Sequence, residues 1–383
     1  MKEFDIGKAY LEGGELDLAI GQFTEVIRLA PQVSTGYFYR GYTVLEKSDA
    51  QRAIADFAEA IRLNPKDKYA YFHRGRAYMD VDCSKALSDF DEAIRLDCSY
   101  ALAHCYRGMV YDKQNRLSEA IADFTEAIRL APNIGWAYVH RGATFGKTGD
   151  LAKAMADLGN ALRLDPEDPF AYDARAVVYF RMGKLDKSLA DCTEAIRIQP
   201  KNAGFYLRRA VVYLNVDCSK SIPDLDEAIR LAPDRFDAYY GRAWAYREQG
   251  RLDEAIADLT QAIHLNSSQA GAYYVRGCAF EEKDDLDRAL ADLTEAIRLE
   301  PKAARAYHRR GIVHARRNER SKAEADLKLA KELGREFGAR RPWTRALGEI
   351  WPFTRLVQGI ARIVQWHRGP PPGAGSATSV SDE

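Results

Sequence analysis

Several things are missing from this sequence, and each absence excludes a class of function. The 383 residues carry no net charge, with 56 lysines and arginines against 56 aspartates and glutamates. No global field therefore steers the chain toward nucleic acid, which is not expected as a partner. No run of eighteen apolar residues occurs, so a membrane-spanning helix is not expected. The opening Met1-Lys-Glu-Phe-Asp-Ile-Gly lacks the basic and then apolar pattern of a secretory leader, and a reducing, cytoplasmic location is the expectation. Six cysteines (Cys83, Cys98, Cys105, Cys192, Cys218, Cys278) form no CxxC pair, and the step from Cys98 to Cys105 fits no usual zinc spacing. They read as reduced, mostly buried small side chains. There is no GxSxG, no phosphate-binding loop, no HExxH and no dinucleotide glycine signature. A protein without catalytic activity, cofactor or metal is expected.

What the sequence does have is a period. Gly7, Gly41, Gly75, Gly108, Gly142, Ala176, Ala210, Ala243, Gly277 and Gly311 recur at intervals of 34 residues, with two intervals of 33. With this small residue numbered 8, Arg occupies position 7 and Asp position 23 in repeats two to ten, from Arg40 and Asp56 to Arg310 and Asp326. Repeat one has Ile6 and Gln22 instead. Small residues also fill position 20 (Ala19 to Ala323) and position 27 (Val26, then Ala60 to Ala330), where two antiparallel helices would approach closely. Gly14, Asn115, Gly149, Gly183, Gly250 and Asn318 are placed to take a left-handed backbone between those helices. Asp17, Ser84, Ser118, Asp186, Ser219 and Asp253 are expected to cap the second helix, and prolines such as Pro65 and Pro166 to end it. Repeats three and seven, the short ones, share Val-Asp-Cys-Ser-Lys at 81–85 and 216–220, which suggests duplication of a four-repeat block. In a hairpin turning near position 15, positions 7 and 23 stand at the same height, so one Arg to Asp pair per hairpin is expected.

This text resembles the tetratricopeptide repeat over residues 1 to about 335. The resemblance rests on an aromatic at position 4, Gly or Ala at 8, Ala at 20 and 27, and Pro near 32. It implies an all-α fold, a right-handed superhelix of about ten helical hairpins, with repeats one and ten degenerate. One hairpin cannot bury its apolar stripe alone, so the position-4 rings must pack between neighbours. The resemblance further implies that positions 2, 5, 9 and 12 of each first helix face a concave groove. The candidates so obtained are Phe38, Tyr42, Phe72, Arg76, Met109, Val177, Leu207, Tyr240, Trp244 and Tyr274, with Cys105, Val139, Ala143, Asp173, Val211 and Cys278 at the same positions. Mostly apolar or aromatic, they point to peptide segments of partner proteins with hydrophobic anchors. The family's carboxylate clamp for chaperone tails needs Lys at 5 and Asn at 9; Phe38 with Tyr42, and Phe72 with Arg76, do not supply it. Chaperone tails are therefore disfavoured. His73, His104 and His140 fall at repeat positions and read as structural.

The last part of the chain differs in kind. Residues 335–368 hold seven arginines against two glutamates, with Trp343, Trp351, Phe353 and Trp366. Phe353, Leu356, Val357, Ile360 and Val364 share one helical face. Residues 336–368 are therefore expected to form a basic amphipathic extension: a cap on the last hairpin, a helix on an anionic membrane surface through 343–368, or a partner-docking helix. Residues 369–383, rich in Pro, Gly and Ser, read as a disordered tail. The functional expectation is a scaffold that holds other proteins. Its alternatives are a membrane-surface adaptor and the targeting array of an enzyme complex.

Overall fold

The computed structural model describes residues 2–336, and all regular structure within them is α-helical. The expectations for 337–383, the cap and the tail among them, lie outside the described residues. The chain divides into two compact units at Asp165 and Pro166. The first unit contains five hairpins: α1 (Lys2–Glu12) with α2 (Leu16–Leu29), α3 (Ser34–Glu46) with α4 (Ala50–Leu63), α5 (Lys68–Tyr78) with α6 (Cys83–Leu96), α7 (Ala101–Lys113) with α8 (Leu117–Leu130), and α9 (Gly135–Thr148) with α10 (Leu151–Leu164). The second contains α11 (Pro169–Arg181) with α12 (Leu185–Ile198), α13 (Ala203–Leu214) with α14 (Cys218–Leu231), α15 (Phe236–Glu248) with α16 (Leu252–Leu265), α17 (Ala270–Glu282) with α18 (Leu286–Leu299), and α19 (Ala304–Arg316) with α20 (Arg320–Glu336). Ten hairpins in the expected phase result. Within each unit every second helix packs on the first helix that follows it.

Position 8 closes each hairpin. A Cβ built on Gly75 would lie 2.8 Å from the Phe90 ring, so the ring occupies the space that a side chain would need. All four hairpins with Phe at position 24 (Phe23, Phe57, Phe90, Phe124) have Gly at 8, whereas the three with Ala at 8 have Cys192, Leu225 or Leu259 opposite.

The turn is made by one left-handed residue at position 15. Gly14, Asn115, Gly149, Gly183, Gly250 and Asn318 all take positive φ, as expected. Ser48 and Asp284 do so as well, which their residue types did not announce. No such residue occurs in hairpins three and seven, so the residue these short repeats lack is the left-handed one. The expected caps are corrected. Second helices begin two residues earlier, which leaves Asp17, Ser84, Ser118, Asp186, Ser219 and Asp253 inside the first turn. The side chains that accept the first amide bonds are Asp49, Asp82, Asp150, Asp217 and Asp285.

All nine Arg to Asp pairs form. Each guanidinium donates from Nε and Nη2 to the two carboxylate oxygens at 2.7–2.9 Å, as between Arg74 and Asp89 and between Arg276 and Asp292. In seven hairpins the remaining Nη1 donates to position 25 of the preceding hairpin, reaching Thr125 from Arg141 at 3.1 Å and Asp226 from Arg242 at 2.6 Å. Arg74 has Ala58 at that position and makes no such bond. The pair thus sets the register inside a hairpin, and its third bond ties the hairpin to the one before.

Candidate functional site

The first helices carry the candidate residues, and their burial separates them. Phe38, Phe72, Met109, Leu207, Tyr240 and Trp244 are buried, whereas Tyr42, Arg76, Val177 and Tyr274 are half-buried. Tyr240 is 4% exposed and Trp244 9%, so the pair anchors the core of hairpin eight. In four hairpins the position-5 side chain packs with the position-3 alanine of the following helix: Phe38 with Ala70, Phe72 with Ala103, Leu207 with Ala238 and Tyr240 with Ala272 share core clusters. Asp173, at position 5 of hairpin six, is buried too, and accepts from Nε and Nη2 of buried Arg208 at 3.0 and 3.2 Å. It is spent on a seam rather than offered to a ligand.

An aromatic row remains in the first unit, its two halves joined beneath the surface by the buried Phe72. The Arg76 guanidinium lies 5.6 Å over the Tyr106 ring, and Tyr106 meets Trp136 edge to face at 5.7 Å. Tyr106 also meets Phe72 at 5.1 Å, Phe72 meets Tyr100 at 5.0 Å, and Tyr100 meets the exposed Tyr69 at 5.6 Å. The Lys68 ammonium sits 4.9 Å from the Tyr69 ring and 5.4 Å from that of Tyr100. Its bond to Asp97, with that of Ser99, lowers the Asp97 carboxyl to about 2, so this corner stays ionic through the physiological range. Burial raises the Tyr100 phenol, which remains protonated. Rings and cation stems together form an amphipathic surface on α5, α7 and α9, with Tyr42 of α3 beside it through His73 at 5.0 Å. Of these residues only Tyr42, Phe72 and Arg76 were candidates. Tyr69 and Trp136 stand at position 2, one of the ligand-facing positions, and could have been named; Tyr106 stands at position 6 and carried no such signal.

The three histidines at repeat positions pack against rings, an arginine or a carboxylate. His73 is enclosed by the rings of Phe38, Tyr42, Phe57 and Phe72, and its Nδ1 lies 3.1 Å from Arg76 Nη1. His104 Nδ1 is 3.4 Å from Asp123, and His140 stacks on Phe124 at 5.7 Å. Burial raises the Cys105 and Cys192 thiols, which leaves them unreactive. Among the described residues no group of three or more His, Cys, Asp or Glu is placed to hold a metal ion. None of the described helices is long and apolar enough to cross a membrane.

Models described as the tetratricopeptide repeat match residues 4–68, 40–80, 101–134, 137–168, 169–202, 217–270 and 274–336. No curated protein matches the chain. Among solved structures, a tetratricopeptide repeat protein from Parabacteroides merdae is similar, with 16% identity over 64% of this chain and 98% of that one and a TM-score of 0.54. A monomeric mutant of IFIT1 with Gppp-AAAA is similar at 13% identity, over 86% of this chain and 90% of that one, with a TM-score of 0.54. YrrB, described as a repeat protein with an unusual peptide-binding site, gives 23% identity over 48% and 96% with a TM-score of 0.41. The first two likenesses show the fold.

Proposed function

Because the chain belongs to the tetratricopeptide repeat family, we propose that it is a non-catalytic interaction scaffold gripping peptide segments of partner proteins on the first helices of hairpins two to five. One observation carries this reading: Tyr69, Tyr100, Arg76, Tyr106 and Trp136 lie together and are open or half-open to solvent, whereas Tyr240 and Trp244 are in the core. Aromatic rings with an arginine among them are what the energetic centres of protein interfaces are made of. The segment taken would carry apolar or aromatic anchors, with a carboxylate or carbonyl near Arg76. A reducing, cytoplasmic setting belongs with it, since all six cysteines are free thiols.

Selection of random peptides displayed on phage against the full chain tests the reading. Enriched peptides should lose at least about 2 kcal/mol of binding in the Tyr106→Ala/Trp136→Ala variant. Peptides that bind this variant as tightly as the parent chain would remove hairpins two to five as the site.

A further inference from the structure

Hairpin ten concentrates positive charge in a chain that has no net charge. Residues 304–331 hold nine lysines and arginines against three aspartates and glutamates. Some of these cations are spent on ion pairs: Arg310 meets Asp326, Arg316 meets Asp284 and Arg317 meets Asp287. Three others, Arg305, Arg309 and Lys331, line an open cleft of about 560 Å³ between α17, α19 and α20, with His308 beside them. Tyr274, Ile312 and Leu327 supply its apolar part, and Leu327 is 37% exposed. Among the described residues no carboxylate lines the cleft. Arg309 is fixed there by the buried Glu281, whose Oε2 accepts from its Nη1 at 3.3 Å. Arg316 holds Glu281 in turn, donating to its backbone carbonyl at 3.0 Å. A guanidinium carries five N–H groups, so this anchor orients Arg309 without exhausting it.

We propose that this cleft binds a phosphate ester carried on an aromatic ring, as in the side chain of phosphotyrosine. The phosphate stands among Arg305, Arg309 and Lys331, and the ring lies against Tyr274, Ile312 and Leu327. Two features select that chemistry. A phosphate monoester carries close to two negative charges and three terminal oxygens, so it takes bonds from several cationic donors at once, whereas a carboxylate brings one charge and two oxygens. The forked donors of Arg305 and Arg309 match phosphate geometry, and Lys331 adds a point charge. The apolar part gains nothing from a bare anion and gains from a ring, which buries its faces there and packs against Tyr274. The cleft also falls in the range of about 300–1,000 Å³ usual for small-ligand sites. It belongs to the second unit and shares no residue with the aromatic surface of hairpins two to five, so either proposal stands or falls without the other.

Titration calorimetry of the full chain with free phosphotyrosine, tyrosine, inorganic phosphate and AMP tests the proposal. Phosphotyrosine should bind at least about tenfold more tightly than tyrosine, which lacks the charge, and than inorganic phosphate, which lacks the ring. Binding of AMP in its place would uphold the chemistry and assign the source to nucleotides. The Arg305→Glu/Lys331→Glu variant should weaken the interaction at least about tenfold. Both residues are exposed, and an unchanged denaturation midpoint checks that the variant is folded. The place is read separately in the parent chain, where bound phosphotyrosine should slow acetylation of Lys331 by acetic anhydride and leave Lys322 unaffected. Inorganic phosphate binding as tightly as phosphotyrosine overturns the proposal. So does the absence of binding by both ring phosphates at millimolar concentration, or an affinity that the double variant does not move.

Discussion

Glycine at position 8 and phenylalanine at position 24 constrain each other across the four hairpins that carry both. Adding a Cβ at Gly75 forces the Phe90 ring to move in a packed seam, so Gly75→Ala should destabilise the chain by about 1–3 kcal/mol. Phe90→Leu in the same chain should recover part of that loss, because leucine opposite alanine is the pairing of hairpins seven and eight. A urea-denaturation double-mutant cycle reads the coupling; strictly additive losses would contradict it. His73 supplies a second case. Burial among four rings, with Arg76 beside it, holds its imidazole well below the ordinary value of 6.5. The unfolded chain takes up a proton below pH 6.5 and the folded chain does not, so stability must fall as pH drops from that value. His73→Phe should flatten the dependence between pH 7 and 5, measured as denaturation midpoints; an unaltered slope would show that His73 is not its source.

Individual helices show where the sequence was legible and where it was not. The glycine phase and the Arg to Asp pairs could be read directly, because both repeat with a fixed geometric purpose. The helix starts could not. Asp17 and Ser118 look like caps, but the residues two places before them, Glu15 and Arg116, hold the cap position without a side-chain bond, so tertiary packing sets the boundary there. Helix α14 bears a further departure, an interior proline at Pro223 where seven hairpins have alanine. Proline removes an amide donor and crowds the carbonyl four residues earlier. Pro223 is exposed, so Pro223→Ala should raise stability by about 1–3 kcal/mol, seen as a higher denaturation midpoint. A midpoint that falls would mean that the hairpin needs the proline.

Among the described residues, many charged side chains pair within or between hairpins. Nine Arg to Asp pairs sit inside hairpins, and contacts such as Lys147 with Asp112 and Arg247 with Glu282 join one hairpin to the next. The surface proposed for recognition is aromatic, with Arg76 and Lys68 among its rings. Its location was the least legible feature, because whether a first-helix ring is core or surface depends on how close the next hairpin comes. Tyr240 and Trp244 promised a groove in the second unit and were covered, while Tyr106 and Trp136 in the first were left half-open. Photo-cross-linking is the most direct test, using a peptide enriched on the full chain and carrying a reactive group, with attachment sites found by mass spectrometry. The account predicts attachment within 68–78, 101–113 and 135–148, the first helices of hairpins three to five. Attachment confined to the second helices, 83–96, 117–130 and 151–164, would contradict it.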